Sequence, residues 1–276
     1  MMLTTQTAIL ATRRGLTLGL VVQSLLWLGA LTAAIAGPLI GSQSQVALAL
    51  VVIAGIWMFL SLQSVRTARS QAEVPRLVAA GQYEAAEALI ESILRSFSLF
   101  RPGKLMALHQ LALLRHAQDR HQDAALLCRE LLSQRLASGG VMGRSARLIL
   151  AESSLRLGDL STTAAMVAWL SVQPLPAGER LRLVLLQLDY QSRVGDWPGM
   201  FQGYMSKVQL AEVMPPAAAA AAQALLALAA KKMGREDVAG WLARRAALLA
   251  DAGELVQRRP MLKELWPGAP AGRPEA

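Results

Sequence analysis

The side chains best suited to metal or covalent chemistry here are three histidines and a single cysteine. His109 and His116, seven apart, would share one face of a helix, and with Asp119 or Cys128 they make the nearest approach to a ligand set. Their spacing matches no recognised metal motif. Cys128, in the run Ala125-Leu126-Leu127-Cys128, reads as a small buried apolar residue. One cysteine also excludes an intramolecular disulfide framework. Glu87 and Glu91, four apart, read as a solvated helix face. No glycine-rich phosphate loop, G-x-S-x-G elbow or H-E-x-x-H pair occurs. These residues imply no catalysis, no metal and no cofactor.

The elements that would position them come next. The chain has 276 residues, 54% of them apolar, and is rich in Ala and Leu with few aromatics, which favours helix throughout. From Gly15 to Val65 there is no Asp, Glu, Lys, Arg or His. A bilayer core about 30 Å thick needs roughly 20 apolar residues of helix. Residues 16–36 supply one span and 46–62 a second, joined by a breaker-rich loop at 37–45. The expectation is a two-helix transmembrane hairpin over 16–65, after a short N-terminus at 1–15. Arg13 and Arg14 precede the spans, and Arg66, Arg69 and Arg76 follow them. The positive-inside rule then places both termini in the cytoplasm. Trp57 and Phe59 would be interfacial anchors, while the GxxxG spacing of Gly15 and Gly19 is what this composition yields by chance. The weaker alternative is a cleaved signal peptide, with Ala34-Ile35-Ala36 before Gly37 as its site. Twenty-three arginines against five lysines point to a GC-rich bacterial genome, hence to the inner membrane.

Beyond the apolar segment a turn recurs. Gly81-Gln82-Tyr83-Glu84-Ala85-Ala86, Gly158-Asp159-Leu160, Gly195-Asp196-Trp197 and Gly234-Arg235-Glu236 are joined by a degenerate copy at Asp119-Arg120-His121. The anchors are 37–39 residues apart. A glycine here lets the first helix end in the left-handed conformation. Tyr83 and Trp197, two residues on, would wedge between paired helices, and Ala86, Ala124 and Ala239 would allow close approach. Thr163 and Met200 stand at that alanine position in the other copies. The predicted pairs are 71–80/84–98, 104–118/122–136, 141–157/161–172, 177–194/198–210 and 216–233/236–250, with a capping helix at 254–265 and a frayed tail.

This pattern resembles the tetratricopeptide repeat, whose helices meet at a G-x-Y-x-x-A turn, although the spacing exceeds that family's period of about 34 residues. The resemblance implies an all-α solenoid of about five helix pairs over 66–253, closed by a cap and tail at 254–276. The layout is also similar to heme-biosynthesis-associated membrane proteins with two spans ahead of such repeats. In this family the first helix of each pair lines a groove that receives partner proteins.

On those first helices basic residues outnumber acidic ones. The position two before the anchor is Arg156, Arg193 and Lys232 in three successive copies, and His116 lies near the same turn. The expectation is a membrane-anchored scaffold with a basic groove for an acidic segment of a protein partner. Complementation of helix C-terminal dipoles accounts for the same cations more simply. The competing class is an accessory subunit or enzyme of envelope or heme metabolism using the His109/His116 face. Nucleic acid is not expected: four of the nine excess positive charges flank the apolar segment, and no aromatics alternate with basic residues for base stacking.

Overall fold

The computed structural model describes residues 4–40, 43–96 and 101–268. Every regular element among them is helical, as a chain of strong helix formers should be. The chain divides into two compact units, Met1–Leu157 and Gly158–Ala276.

The first unit contains α1 (Thr5–Ile40), α2 (Gln43–Gln71), α3 (Val74–Ala79), α4 (Tyr83–Arg95), α5 (Arg101–Ala117), α6 (His121–Ser133), α7 (Arg135–Ser138) and α8 (Gly140–Leu157). Helix α5 is its centre, packing against α1, α2, α4, α6 and α8. Leu105, Leu108, Leu111 and Leu114 recur at three-residue spacing, and all are buried. Each contributes roughly 1.5–3 kcal/mol on burial.

Helix α1 has two characters. Its first turns dock on the helical body, with Ala8, Thr12 and Leu16 buried. Beyond them Leu20, Val21, Leu25, Trp27, Leu28 and Leu31 are all exposed. Helix α2 returns alongside it, and a Cβ built on Gly29 would lie 3.8 Å from Ile53 Cδ1.

The expectation of two spans is corrected. Among the described residues one helical stretch, Thr5–Thr32, is long and apolar enough to cross a bilayer. The apolar run of α2, Leu50–Leu62, would rise only about 20 Å against a core of about 30 Å. The breaker loop at 37–45 is corrected as well. Helix persists through Gly37 and Pro38 to Ile40 and resumes at Gln43, because proline removes one amide donor but keeps a helical φ. Gly41 and Ser42 lie outside the described residues. The predicted helix at 71–80 shrinks to α3, since α2 runs on to Gln71.

The second unit contains α9 (Leu160–Ser171), α10 (Ala177–Val194), α11 (Trp197–Phe201), α12 (Tyr204–Glu212), α13 (Pro216–Lys232), α14 (Glu236–Leu249) and α15 (Ala252–Arg258), then a 3-10 turn at Pro260–Glu264. Helix α13 is its core, buried without interruption from Ala219 to Ala230. Small side chains on every face let α10, α11, α12 and α14 approach closely. The helix predicted at 198–210 is two helices, broken at Gly203 with φ +64°.

The five anchors share one geometry. Gly81, Asp119, Gly158, Gly195 and Gly234 have φ of +72°, +56°, +80°, +75° and +70°. In four of the turns the amide after the anchor donates to the carbonyl five residues back, from Gln82 to Leu77, Arg120 to Arg115, Asp196 to Gln191 and Arg235 to Ala230, each at 2.9 Å. That is the six-to-one bond of a Schellman end. Five residues after each anchor stand Ala86, Ala124, Thr163, Met200 and Ala239, all buried.

Candidate functional site

The histidines meet serines, not a ligand set. On α5, His109 Nε2 lies 3.0 Å from Ser145 Oγ of α8. Two turns further along the same face, His116 Nδ1 lies 3.2 Å from Ser153 Oγ and its Nε2 3.1 Å from Glu152. His121, at the turn's aromatic position, packs its ring 5.4 Å from that of His116. Its Nδ1 is buried with no hydrogen-bond partner. Burial first, then His116, pushes His121 below the usual histidine range, and burial alone does so for His109.

Serine, histidine and glutamate do touch here, yet Ser153 is 0% exposed, so its hydroxyl meets no substrate. Among the described residues no three His, Cys, Asp or Glu side chains are placed to hold a metal. Cys128 is buried as expected, and burial pushes its thiol up to about 12, far from a reactive thiolate.

Arg156 belongs to the first unit, Arg193 and Lys232 to the second, and Arg156 and Arg193 are exposed near helix C-termini. Lys232 pairs with Glu264 at 2.6 Å, while Lys231 donates to the Glu264 carbonyl. Other cations on the first helices are also engaged. Arg115 is 1% exposed and bound through both terminal nitrogens to Glu87, so Glu87 is not part of a solvated face. Glu91 is half-buried like Glu87 and pairs with Arg95 one turn on. Arg147 donates to the carbonyls of Ser138 and Gly143.

A polar seam absent from the sequence reading joins α1 to the body. Thr5 donates to Asp123, and Arg13 donates Nε and Nη2 to the two oxygens of Glu130 at 2.8 and 2.6 Å. A Cβ on Gly15 would come within 2.9 Å of Lys104 Nζ, which donates to the Leu94 carbonyl. Burial lowers the pKa of that ammonium. From the other side Gln71, ending α2, donates to Gly103 and receives a bond from Gln110. Both apolar helices therefore leave the body at the first turn of α5. A hint lay in Glu130, an acid inside the apolar periodicity of Leu127, Cys128 and Leu131.

Two cavities flank this junction. An open groove of about 470 Å³ lies between α1 and α6, lined by Gln6, Leu10, Arg13, Leu126 and Glu130 among others. A smaller cavity of about 220 Å³ is lined by Leu16, Arg101, Leu105, Ser133, Gln134, Arg135 and Leu136. No family model, curated protein or solved structure matches this chain.

Proposed function

We propose that this protein is a membrane-anchored helical adaptor: α1 holds it in a bilayer, and its turn-linked helix pairs act as tetratricopeptide-like repeats that present a surface to a protein partner. One observation carries the reading. Helix α1 passes without a break from turns bonded into the helical body to turns whose large apolar side chains are exposed. Exposed apolar surface of that extent needs lipid or protein against it.

A cleaved signal sequence would be apolar too. Cleavage after Ala36 would strip Arg13 from Glu130 and Thr5 from Asp123, opening a seam the body has built. Retention of α1 is the reading that keeps those bonds. Ser153 and Cys128 are buried and His109 and His116 lie against serines, so the proposed activity is binding alone.

The test uses full-length protein with tags at both ends, expressed in a bacterium. The reading expects both tags on one band of full mass, in the membrane pellet after alkaline carbonate extraction. A photo-crosslinking residue at position 193 is expected to trap one discrete protein. Loss of the N-terminal tag, or a soluble full-length band, defeats the anchor. A full-mass membrane protein with no trapped band defeats the adaptor.

A further inference from the structure

We propose that the cavity between Arg101 and Arg135 holds the phosphate of an anionic phospholipid headgroup, at the point where α1 leaves the helical body. The inference rests on the reading of α1 as a membrane anchor.

Position comes first. Leu16 lines this cavity and is buried, four residues before the exposed run that begins at Leu20. On the opposite side of α5's first turn, Gln71 at the end of α2 is tied to Gly103. Both apolar helices thus converge on Arg101–Lys104. If α1 enters the bilayer where its protein cover ends, the cavity opens at headgroup depth.

The lining fits one chemistry. Arg101 and Arg135 bring two guanidiniums to the lining and three leucines complete the wall, while the Ser133 hydroxyl and the Gln134 amide at its edge already donate to Glu130. Among the described residues neither arginine has a carboxylate partner, although the neighbouring Arg13 and Arg115 both have one. The Nε of Arg101 is buried with no hydrogen-bond partner, so this guanidinium is left short of an acceptor. Guanidinium pairs match phosphate oxygens in a planar fork. Cations just outside an apolar helix draw anionic lipid. Leu136, 61% exposed beside Arg135, offers apolar surface to the glycerol and upper acyl region. A free phosphate would use the arginines and leave Leu16 and Leu136 idle. The apolar wall favours the lipid.

Full-length protein in detergent is titrated with phosphatidylglycerol, phosphatidylcholine or inorganic phosphate, and bound species are counted by native mass spectrometry. The expected result is about tenfold tighter binding of phosphatidylglycerol than of phosphatidylcholine, with millimolar phosphate failing to compete. Arg101→Gln with Arg135→Gln should abolish that preference. Arg101→Lys with Arg135→Lys should restore part of it, and Arg180→Gln, an exposed arginine of the second unit, should leave it intact. Equal binding of both lipids, or an unaltered preference in the Gln variant, overturns the assignment. Competition by inorganic phosphate at matching affinity reassigns the cavity to the free ion and also overturns it. Carbonate extraction of the same variants separates the two readings. Protein that stays in the membrane without lipid preference sinks only this inference, whereas protein that leaves the membrane sinks the anchor beneath it. Equal circular dichroism melting of the variants excludes misfolding.

Discussion

Arg13 and Glu130, 117 positions apart, share a two-pronged ion pair in which the arginine side chain is 62% exposed and the glutamate 9%. The asymmetry decides which partner needs the other. Arg13→Gln leaves a nearly buried carboxylate uncompensated, whereas Glu130→Gln leaves an exposed guanidinium in water. The expected result is a severalfold loss of amide-exchange protection over residues 5–16 in Arg13→Gln and a smaller loss in Glu130→Gln. The double variant should lose less than the two single losses combined. Arg13's hydrogen bonds hold the Glu130 carboxyl below the usual glutamate range. Protection should therefore be complete above about pH 4.3 and fall as the pH drops through the lowered folded value.

Asp119 makes a second prediction. It is the one non-glycine with positive φ among the described residues, at +56°. Glycine adopts that conformation without the Cβ penalty, and aspartate does so at a cost. Asp119→Gly should raise stability by about 0.5–1 kcal/mol, and Asp119→Val should lower it by more than that. Urea unfolding in detergent reads both, and a destabilised glycine variant would mean that the Asp119 carboxylate contributes more than its backbone costs.

These two cases show what was legible in the residues. A left-handed helix end is a local property, so glycines 77, 37 and 39 residues apart marked four turns, and halving the long gap supplied the fifth at Asp119. Burial five residues later followed from the same geometry even where Thr163 and Met200 replace alanine. Long-range pairing was illegible. An arginine at the edge of an apolar run reads as a topology marker, and nothing nearby names Glu130 as its partner. Arg115 adds to the basic excess of the first helices, and one residue alone cannot reveal that Glu87 lies opposite it on α4. The breaker loop failed for another reason. Pro38 suits a helical φ, and its flanking sequence offers no competing turn bond.

The Arg115–Glu87 pair supplies a third prediction. Arg115 is 1% exposed and Glu87 15%. Removing one partner from so buried a pair should be costly, about 3–5 kcal/mol. Arg115→Met alone should therefore unfold the first unit at much lower urea. Arg115→Met combined with Glu87→Leu should recover most of the loss, because two apolar groups of similar size bury no charge. A double variant as weak as the single one would show that the pair's geometry, not its charge balance, supports the contact of α4 with α5.

Mild acid should loosen the first unit through its histidines. Burial and His116 keep His121 below the ordinary histidine value of about 6.5, and burial does the same for His109. Both rings are therefore folded in the neutral form. His121 also faces Arg156 of α8, which lowers its value further, while Asp119 and Glu152 pull the other way without prevailing. Between the folded and unfolded values the unfolded chain binds more protons, so stability rises with pH. It is complete above about pH 6.5 and declines as the pH falls from there through the folded values. Urea midpoints at pH 7.5 and 5.5 read this window, which lies above the range in which Glu130 titrates. His121→Phe keeps a ring at the turn and removes the proton site, so its midpoint should fall less between the two pH values than that of the unaltered protein. His109→Leu should narrow the gap independently, because its proton site lies against Ser145 rather than in the His116 contact. If both variants lose as much stability as the parent, acid acts on some other group and the unpartnered Nδ1 of His121 is not its target.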